Sequence, residues 1–356
     1  GTVHRAVYEL AVYSTDQYQK TRTKLRRFLN AKKDEEIIYT RGTTESINMV
    51  ATSFGKAFVH AGDEVIVSGI EHHSNIVPWQ MMCAERGAKL LVIPVNDRGE
   101  LDLEAYKKLL GPKTKMIAVG HISNVLGTEN PIKEMIQIAR STDAKVLIDG
   151  AQAAPHLSVD VQDLDADFYV FSGHKVYGPT GIGVLYGKED LLDRMPPYQG
   201  GGDMIERVSF EKTTYNVLPM KFEAGTPMIV EVAGLSAAID YVTHIGLEKI
   251  NEHEKSIHTY AEESLRMIPK LKIIGTAKNK GAITSFVVEG VHNLDIGTML
   301  DLKGFALRTG HHCAQPAMRR FGIEGTARIS FGLYNTKNEA ERFVLALNDV
   351  IKVLGG

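Results

Sequence analysis

Short runs of Val, Ile, Leu and aromatic residues alternate with longer stretches whose apolar positions recur at helical spacing. EVIVS (Glu64–Ser68) reads as a buried strand and residues 75–86 as a helix. Residues 89–95 read as a strand and 103–110 as a helix, then KMIAVG (115–120) as a strand and 132–140 as a helix after Pro131. KVLID (Lys145–Asp149), residues 168–171 and GIGVLY (181–186) continue the strand series. Continuous apolar strands separated by helices predict an α/β fold, a mostly parallel sheet covered on both faces. The pattern then changes. Residues 231–245 and 247–268 predict two long helices meeting near Gly246. ITSFVV (Ile283–Val288), a helix near 294–302, short strands at 305–308 and 328–331, and a closing helix over 337–354 follow. This predicts a large domain over residues 1–235 and a smaller α+β domain over 236–356, the change falling within 226–247.

Composition narrows the classes. A chain of 356 residues, 44% hydrophobic and 24% charged, fits a globular protein of roughly two domains. The formal net charge of −2, with both signs interspersed, calls for neither nucleic acid nor an anionic membrane as partner. No apolar run has membrane-spanning length and no secretory signal is visible. The two cysteines, Cys83 and Cys313, make no disulfide scaffold and point to a reducing, cytoplasmic setting.

Open α/β sheets bind ligands beyond the carboxyl ends of their strands. Four clusters follow predicted strand ends. Arg41-Gly42-Thr43-Thr44-Glu45 opens a helix after Ile37–Thr40 and suits a phosphate; taken alone it reads as a plain cap with Thr43 at the cap. Asp149-Gly150-Ala151-Gln152 ends a buried strand with a carboxylate that needs a partner, either a cationic ring nitrogen or a structural ion pair. Ser172-Gly173-His174-Lys175 places a lysine behind an apolar strand, where desolvation favours the neutral amine used in Schiff-base chemistry. Arg308-Thr309-Gly310-His311-His312-Cys313 sets a cysteine beside two histidines in a loop closed by Pro316. Cationic neighbours favour a thiolate nucleophile. A metal site is the weaker reading, because no second Cys/His cluster completes a ligand set. Cys83, in a helical Met-Met-Cys-Ala stretch, reads as a buried apolar side chain.

Together with EHHSNIVPWQ, SNVLGT, GGGDMI, FEAGTP and RISFGLYNT, these clusters form a colinear series over nearly the whole chain. The series resembles the Suf-type, group II cysteine desulfurases of the class V aminotransferase superfamily. The resemblance implies a fold-type I enzyme that uses pyridoxal 5'-phosphate (PLP), works as a homodimer and converts L-cysteine to L-alanine. The sulfur would pass to an enzyme cysteine as a persulfide, for delivery to an acceptor protein of the Suf system and iron-sulfur cluster assembly. It implies Lys175 as the lysine joined to the cofactor and Asp149 as the partner of the ring nitrogen. Gln152 would face the phenolic oxygen, and His72 would stack on the ring and share in catalysis. Thr43, Thr44, Ser172 and His174 would hold the phosphate, with Thr226 reaching it across the dimer interface. Arg308 would fork onto the substrate carboxylate, supported by Arg328 and Asn124, and Cys313 would take the sulfur. The family has an N-terminal segment before the region that resembles residues 1–10. The rival readings are selenocysteine lyase or another class V lyase or aminotransferase. A non-catalytic scaffold would be expected to lack Lys175 or Cys313, and both are present.

Overall fold

The structure is a computed structural model that describes residue 3 and residues 7–355. The apolar runs become the strands of one seven-stranded sheet: β1 (Ile37–Thr40), β2 (Glu64–Ser68), β3 (Lys89–Ile93), β4 (Thr114–Gly120), β5 (Lys145–Asp149), β6 (Phe168–Ser172) and β7 (Gly183–Gly187). Their order is β1-β7-β6-β5-β4-β2-β3. β7 runs antiparallel to both its neighbours, and the other four pairings are parallel.

Alternation of side chains across the pleat explains why these strands are apolar at every position. Val146 and Ile148 of β5, with Tyr169 and Phe171 of β6, enter one core. Leu147, Phe168 and Val170 enter the core on the opposite face. Helix Glu9–Phe28 contributes Tyr18 and Leu25 to the first core, and helix Thr43–Phe58 contributes Ile47, Val50 and Phe54 to the second. Cys83 lies in this second core, where burial pushes its thiol up to about 11, in keeping with an inert packing role.

A hairpin of β8 (Ile205–Val208) and β9 (Thr213–Tyr215) follows. Helices Ile229–Ile245 and Leu247–Arg266 meet at Gly246, whose φ of 94° suits glycine at the joint. Strands β10 (Leu271–Ile274), β11 (Ile283–Val288), β12 (Arg308–Gly310) and β13 (Thr326–Ser330) form an antiparallel sheet in the order β10-β11-β13-β12. Its core is shared with helices Leu247–Arg266, Asn293–Asp301 and Lys337–Val353.

Several strand bounds shift: 181–186 becomes Gly183–Gly187, 328–331 becomes Thr326–Ser330, and two further shifts have a plain cause. The strand expected at 305–308 is instead Arg308–Gly310. Phe305 and Leu307 pack against the small core without joining a ladder, and Phe305 N donates to Leu300 O as part of the preceding helix end. The strand expected over 89–95 stops at Ile93, before Pro94, which lacks an N–H for the ladder. Helix Glu9–Phe28, strand β10 and the β8–β9 hairpin were not anticipated; mixed polar and short segments carry little periodic signal.

Candidate active site

The parallel strands point their carboxyl ends the same way, so the residues that follow β1, β2, β4, β5 and β6 meet in one cavity. Thr43, Thr44, His72, Asn124, Asp149, Gln152, Ser172, His174 and Lys175 all line it.

One end is polar and uncharged. Gly42, not Thr43, occupies the cap position of helix Thr43–Phe58, which leaves the Thr43 hydroxyl free to turn inward. Ser172 Oγ accepts from Thr43 N at 2.8 Å and lies 2.8 Å from Thr43 Oγ1. This stitches the β1 and β6 ends together. Their approach depends on Gly183, where a Cβ would lie 2.4 Å from Gly42 Cα. A helix start beside three hydroxyls, those of Thr43, Thr44 and Ser172, is a site for an anion.

The other end carries the ionisable groups Asp149 and Lys175. Asp149, 8% exposed, closes β5 and accepts from Ala151 N at 2.9 Å. Burial raises its carboxyl above the usual range, against the opposing pull of Lys175 and the Ala151 amide. Lys175 ends the short turn Gly173–Lys175 after β6. Burial lowers its ammonium below the ordinary lysine range, and Asp149 partly offsets this. Tyr169 supports this floor: its phenol fills the space that a Cβ on Gly150 would take, at 2.1–2.3 Å.

His72 follows β2. Its Nδ1 accepts from Ser74 N at 3.1 Å. Burial, then Lys175, His73 and Arg328, lower its pKa to about 4, so the ring is a neutral face on the cavity. Glu71, which sequence reasoning passed over, also lines the cavity. It accepts from Asn75 Nδ2 at 2.7 Å and Gly120 N at 3.0 Å and pairs with Ser68 Oγ. Burial raises its carboxyl to about 7. The signal was present: an acid just beyond the buried strand β2, much as Asp149 is the acid that ends β5.

The second sheet brings in the cysteine loop. Cys313 is exposed, and both His312 and Cys313 sit at positive φ, 51° and 54°, a costly conformation for side-chain-bearing residues. The loop is moored to the cavity rim. Cys313 O accepts from His73 N at 2.7 Å, His312 O accepts from Asn124 Nδ2 at 2.7 Å, and Gln315 N donates to His73 Nε2 at 3.1 Å. The expected cationic help from the neighbouring histidines does not extend to His312. Its Nε2 lies 2.8 Å from Thr326 Oγ1, and burial followed by Arg328 holds its pKa to about 4. Arg308 and Arg328 sit directly opposite each other on β12 and β13. Like charges facing across a ladder repel, which favours an anion between them. Arg328 Nη1 donates to Asn124 O at 2.7 Å, and among the described residues its buried Nε has no partner. Thr226 is exposed and lines a separate cavity with Arg41, Glu45 and Glu223, so one chain does not bring it to Lys175.

These burials set an acid limit on stability. His72, His121, His258 and His312 are each held at about 4, chiefly by burial. Unfolded, each returns to about 6.5. As pH falls from 6.5 to 4, the unfolded chain binds protons that the folded chain refuses, so folding weakens. Glu71 and Asp149, both raised, act in the opposite sense, because the folded chain keeps protons there that the unfolded chain has lost. Four groups outweigh two. The midpoint of thermal unfolding is expected to fall between pH 7 and pH 5; a midpoint that holds or rises would refute this assignment.

The pattern of a buried amine, a facing carboxylate and an anion cradle decides the family when set beside known proteins. Residues 1–343 match the family Aminotransferase class-V. The chain belongs to that family. It is 51% identical over 350 residues to a cysteine desulfurase of Synechococcus elongatus, covering 98% of this chain and 56% of that protein. The chain thus spans a little over half of that relative's length. It is 49% identical over 356 residues to a cysteine desulfurase of Salmonella agona, covering 100% of this chain and 87% of the other. Among solved structures, the cysteine desulfurase CsdA of Escherichia coli superposes with a TM-score of 0.93 at 42% identity, over 99% of this chain and 88% of that one. The cysteine desulfurase of Thermococcus onnurineus gives 0.95 at 39% identity, with the same coverage.

Pyridoxal phosphate is the cofactor of this class V fold, and the donor set fits it. The cavity offers hydroxyls and a helix start for a phosphate, a buried carboxylate for a protonated ring nitrogen, and a lowered-pKa amine for an aldehyde carbon.

Proposed function

We propose that this chain is a PLP-dependent cysteine desulfurase of the Suf-type, group II, converting L-cysteine to L-alanine with the sulfur left on Cys313. The carrying observation is convergence. The cavity holding Lys175 and Asp149 is rimmed by the moored Cys313 loop, and the facing pair Arg308 and Arg328 stands on the same sheet.

In this reading Lys175 would hold the cofactor covalently and, as its neutral amine, would move the α-proton of the substrate. Asp149 would hold a proton on the ring nitrogen. Gln152 would hold the phenolic oxygen, and His72 would support the ring and assist proton movement. Thr43, Thr44, Ser172 and His174 would hold the phosphate, with Thr226 supplied by the other subunit of a homodimer. Arg308 and Arg328 grip the substrate carboxylate, with Asn124 bracing Arg328. The cofactor supplies an electron sink at the substrate α-carbon. Cys313 thiolate attacks the substrate sulfur. An S–S bond forms as the C–S bond breaks, and the released electron pair stays on the β-carbon, which takes a proton to become the alanine methyl group. The product on the protein is a Cys313 persulfide, passed to an acceptor protein for iron-sulfur assembly in the cytoplasm.

We further propose a large cofactor-binding unit over residues 1–235 and a smaller unit over 236–356 that carries the cysteine loop. Helix Ile229–Ile245 runs through the division. Among the described residues no helix is long and apolar enough to cross a membrane.

The test is release of alanine and, with a thiol reductant, sulfide from L-cysteine by the PLP-loaded protein, compared with selenocysteine. Equal yields of alanine and sulfide are expected. Turnover of selenocysteine alone would replace this reading with a selenocysteine lyase. A solution mass of one chain with intact turnover would remove the homodimer and the Thr226 role.

A further inference from the structure

Glu254 lies on helix Leu247–Arg266, is 1% exposed, and has no part in the chemistry above. A buried carboxylate is costly unless its oxygens are hydrogen-bonded. Among the described residues, two side chains from two different loops supply those bonds. His156 Nδ1 lies 2.7 Å from Oε2, and Tyr177 OH donates to Oε1 at 3.4 Å.

Each partner leads to a different part of the site. His156 closes the turns that follow β5. His156 N donates to Ala153 O and Ala153 N to Gly150 O, so its position is tied to Asp149 and Gln152. Tyr177 follows Lys175 on the same turn and sits at a positive φ of 59°. Val176 N and Gly178 N both donate to Gly173 O, making Gly173 to Gly178 a closed unit in which Tyr177 cannot shift without moving Lys175. Tyr177 OH also accepts from Leu333 N at 3.1 Å. Leu333 lies in the loop leaving β13, the strand that bears Arg328. That loop is closed by Gly332 N donating to Asn335 Oδ1 at 2.9 Å, and Asn335 O is 2.8 Å from Nε2 of His253, the neighbour of Glu254 on its helix. By contrast, among the described residues the side chains of the buried group Glu262, Lys280 and His258 bond to β11, Gly275 and their own helix.

We propose that Glu254 is a positioning residue. Through His156 and Tyr177 it sets the loop of the cofactor acid, the turn of the reactive amine and the end of the Arg328 strand in one fixed arrangement. This rests on the proposed desulfuration for its kinetic consequence, not for its structural one.

The holoenzyme variants Glu254→Ala, Glu254→Gln and Tyr177→Phe test it. Glu254→Ala is expected to raise KM for L-cysteine as well as lower kcat, with kcat/KM down about tenfold, the scale of a broken buried hydrogen-bond pair. It should also speed deuterium exchange at the Leu333 amide and lower the fraction of PLP retained through gel filtration. Glu254→Gln keeps an acceptor for Tyr177 and should recover most of all three. If Glu254→Ala fails to fold, Tyr177→Phe keeps the ring and loses only the hydroxyl; a raised KM and faster Leu333 exchange are expected there too. Wild-type kinetics, exchange and PLP retention in folded variants, with only the melting point lowered, would overturn the proposal. If the unaltered protein releases no alanine from L-cysteine, the desulfurase reading fails instead, and Leu333 exchange and PLP retention still judge Glu254.

Discussion

Lys175→Ala is expected to cut alanine formation by at least ~1000-fold and to release most PLP on gel filtration, because two functions leave together. One is covalent attachment of the cofactor. The other is proton movement at the substrate α-carbon, for which the site prepares the amine. Burial lowers the Lys175 ammonium, so a larger share is neutral near pH 7 than for an exposed lysine, while Asp149 keeps the shift from going further. The measurement is a turnover assay beside an absorbance spectrum of the bound cofactor. A variant that keeps both the visible band and turnover would remove Lys175 from the mechanism. Added primary amine should restore some proton transfer, since the cavity of the alanine variant has room where the side chain stood.

Cys313→Ser is expected to separate colour from activity. The serine variant should bind PLP and show the same visible band, because Cys313 is exposed and its loop is held by backbone contacts to His73 and Asn124 that serine leaves intact. Alanine and sulfide release from L-cysteine should fall roughly 1000-fold, since a hydroxyl does not serve as the sulfur-accepting nucleophile. Mass spectrometry of the wild-type protein after one turnover without reductant should show one added sulfur on the peptide containing Cys313. Full activity in the serine variant, or the added sulfur on Cys83, would sink the assignment. Cys83 is a poor alternative on physical grounds: it is buried in the core and its thiol is raised to about 11.

The order of strands and helices was legible because burial on both faces of a parallel sheet leaves uninterrupted apolar runs, as at β2, β5 and β6. The chemical candidates were legible because each of Thr43, Asp149 and Lys175 stands just past such a run, where a parallel sheet gathers its ligand-binding ends. What a chain cannot state locally is which distant groups face one another. The register that sets Arg308 opposite Arg328 is a pairing between strands. The neutral state of His312 comes chiefly from burial and then from Arg328, which the fold brings to it from strand β13, against the opposing hydrogen bond to Thr326. Glu254 carried no motif at all; its meaning lies in His156 and Tyr177, which folding delivers to it from two loops. Thr226 sits apart from the lysine cavity, although its motif resembles a phosphate contact. Periodicity and strand-end chemistry are written along the chain; charge pairing, desolvation and mooring arise only when segments far apart in sequence exclude water from one another.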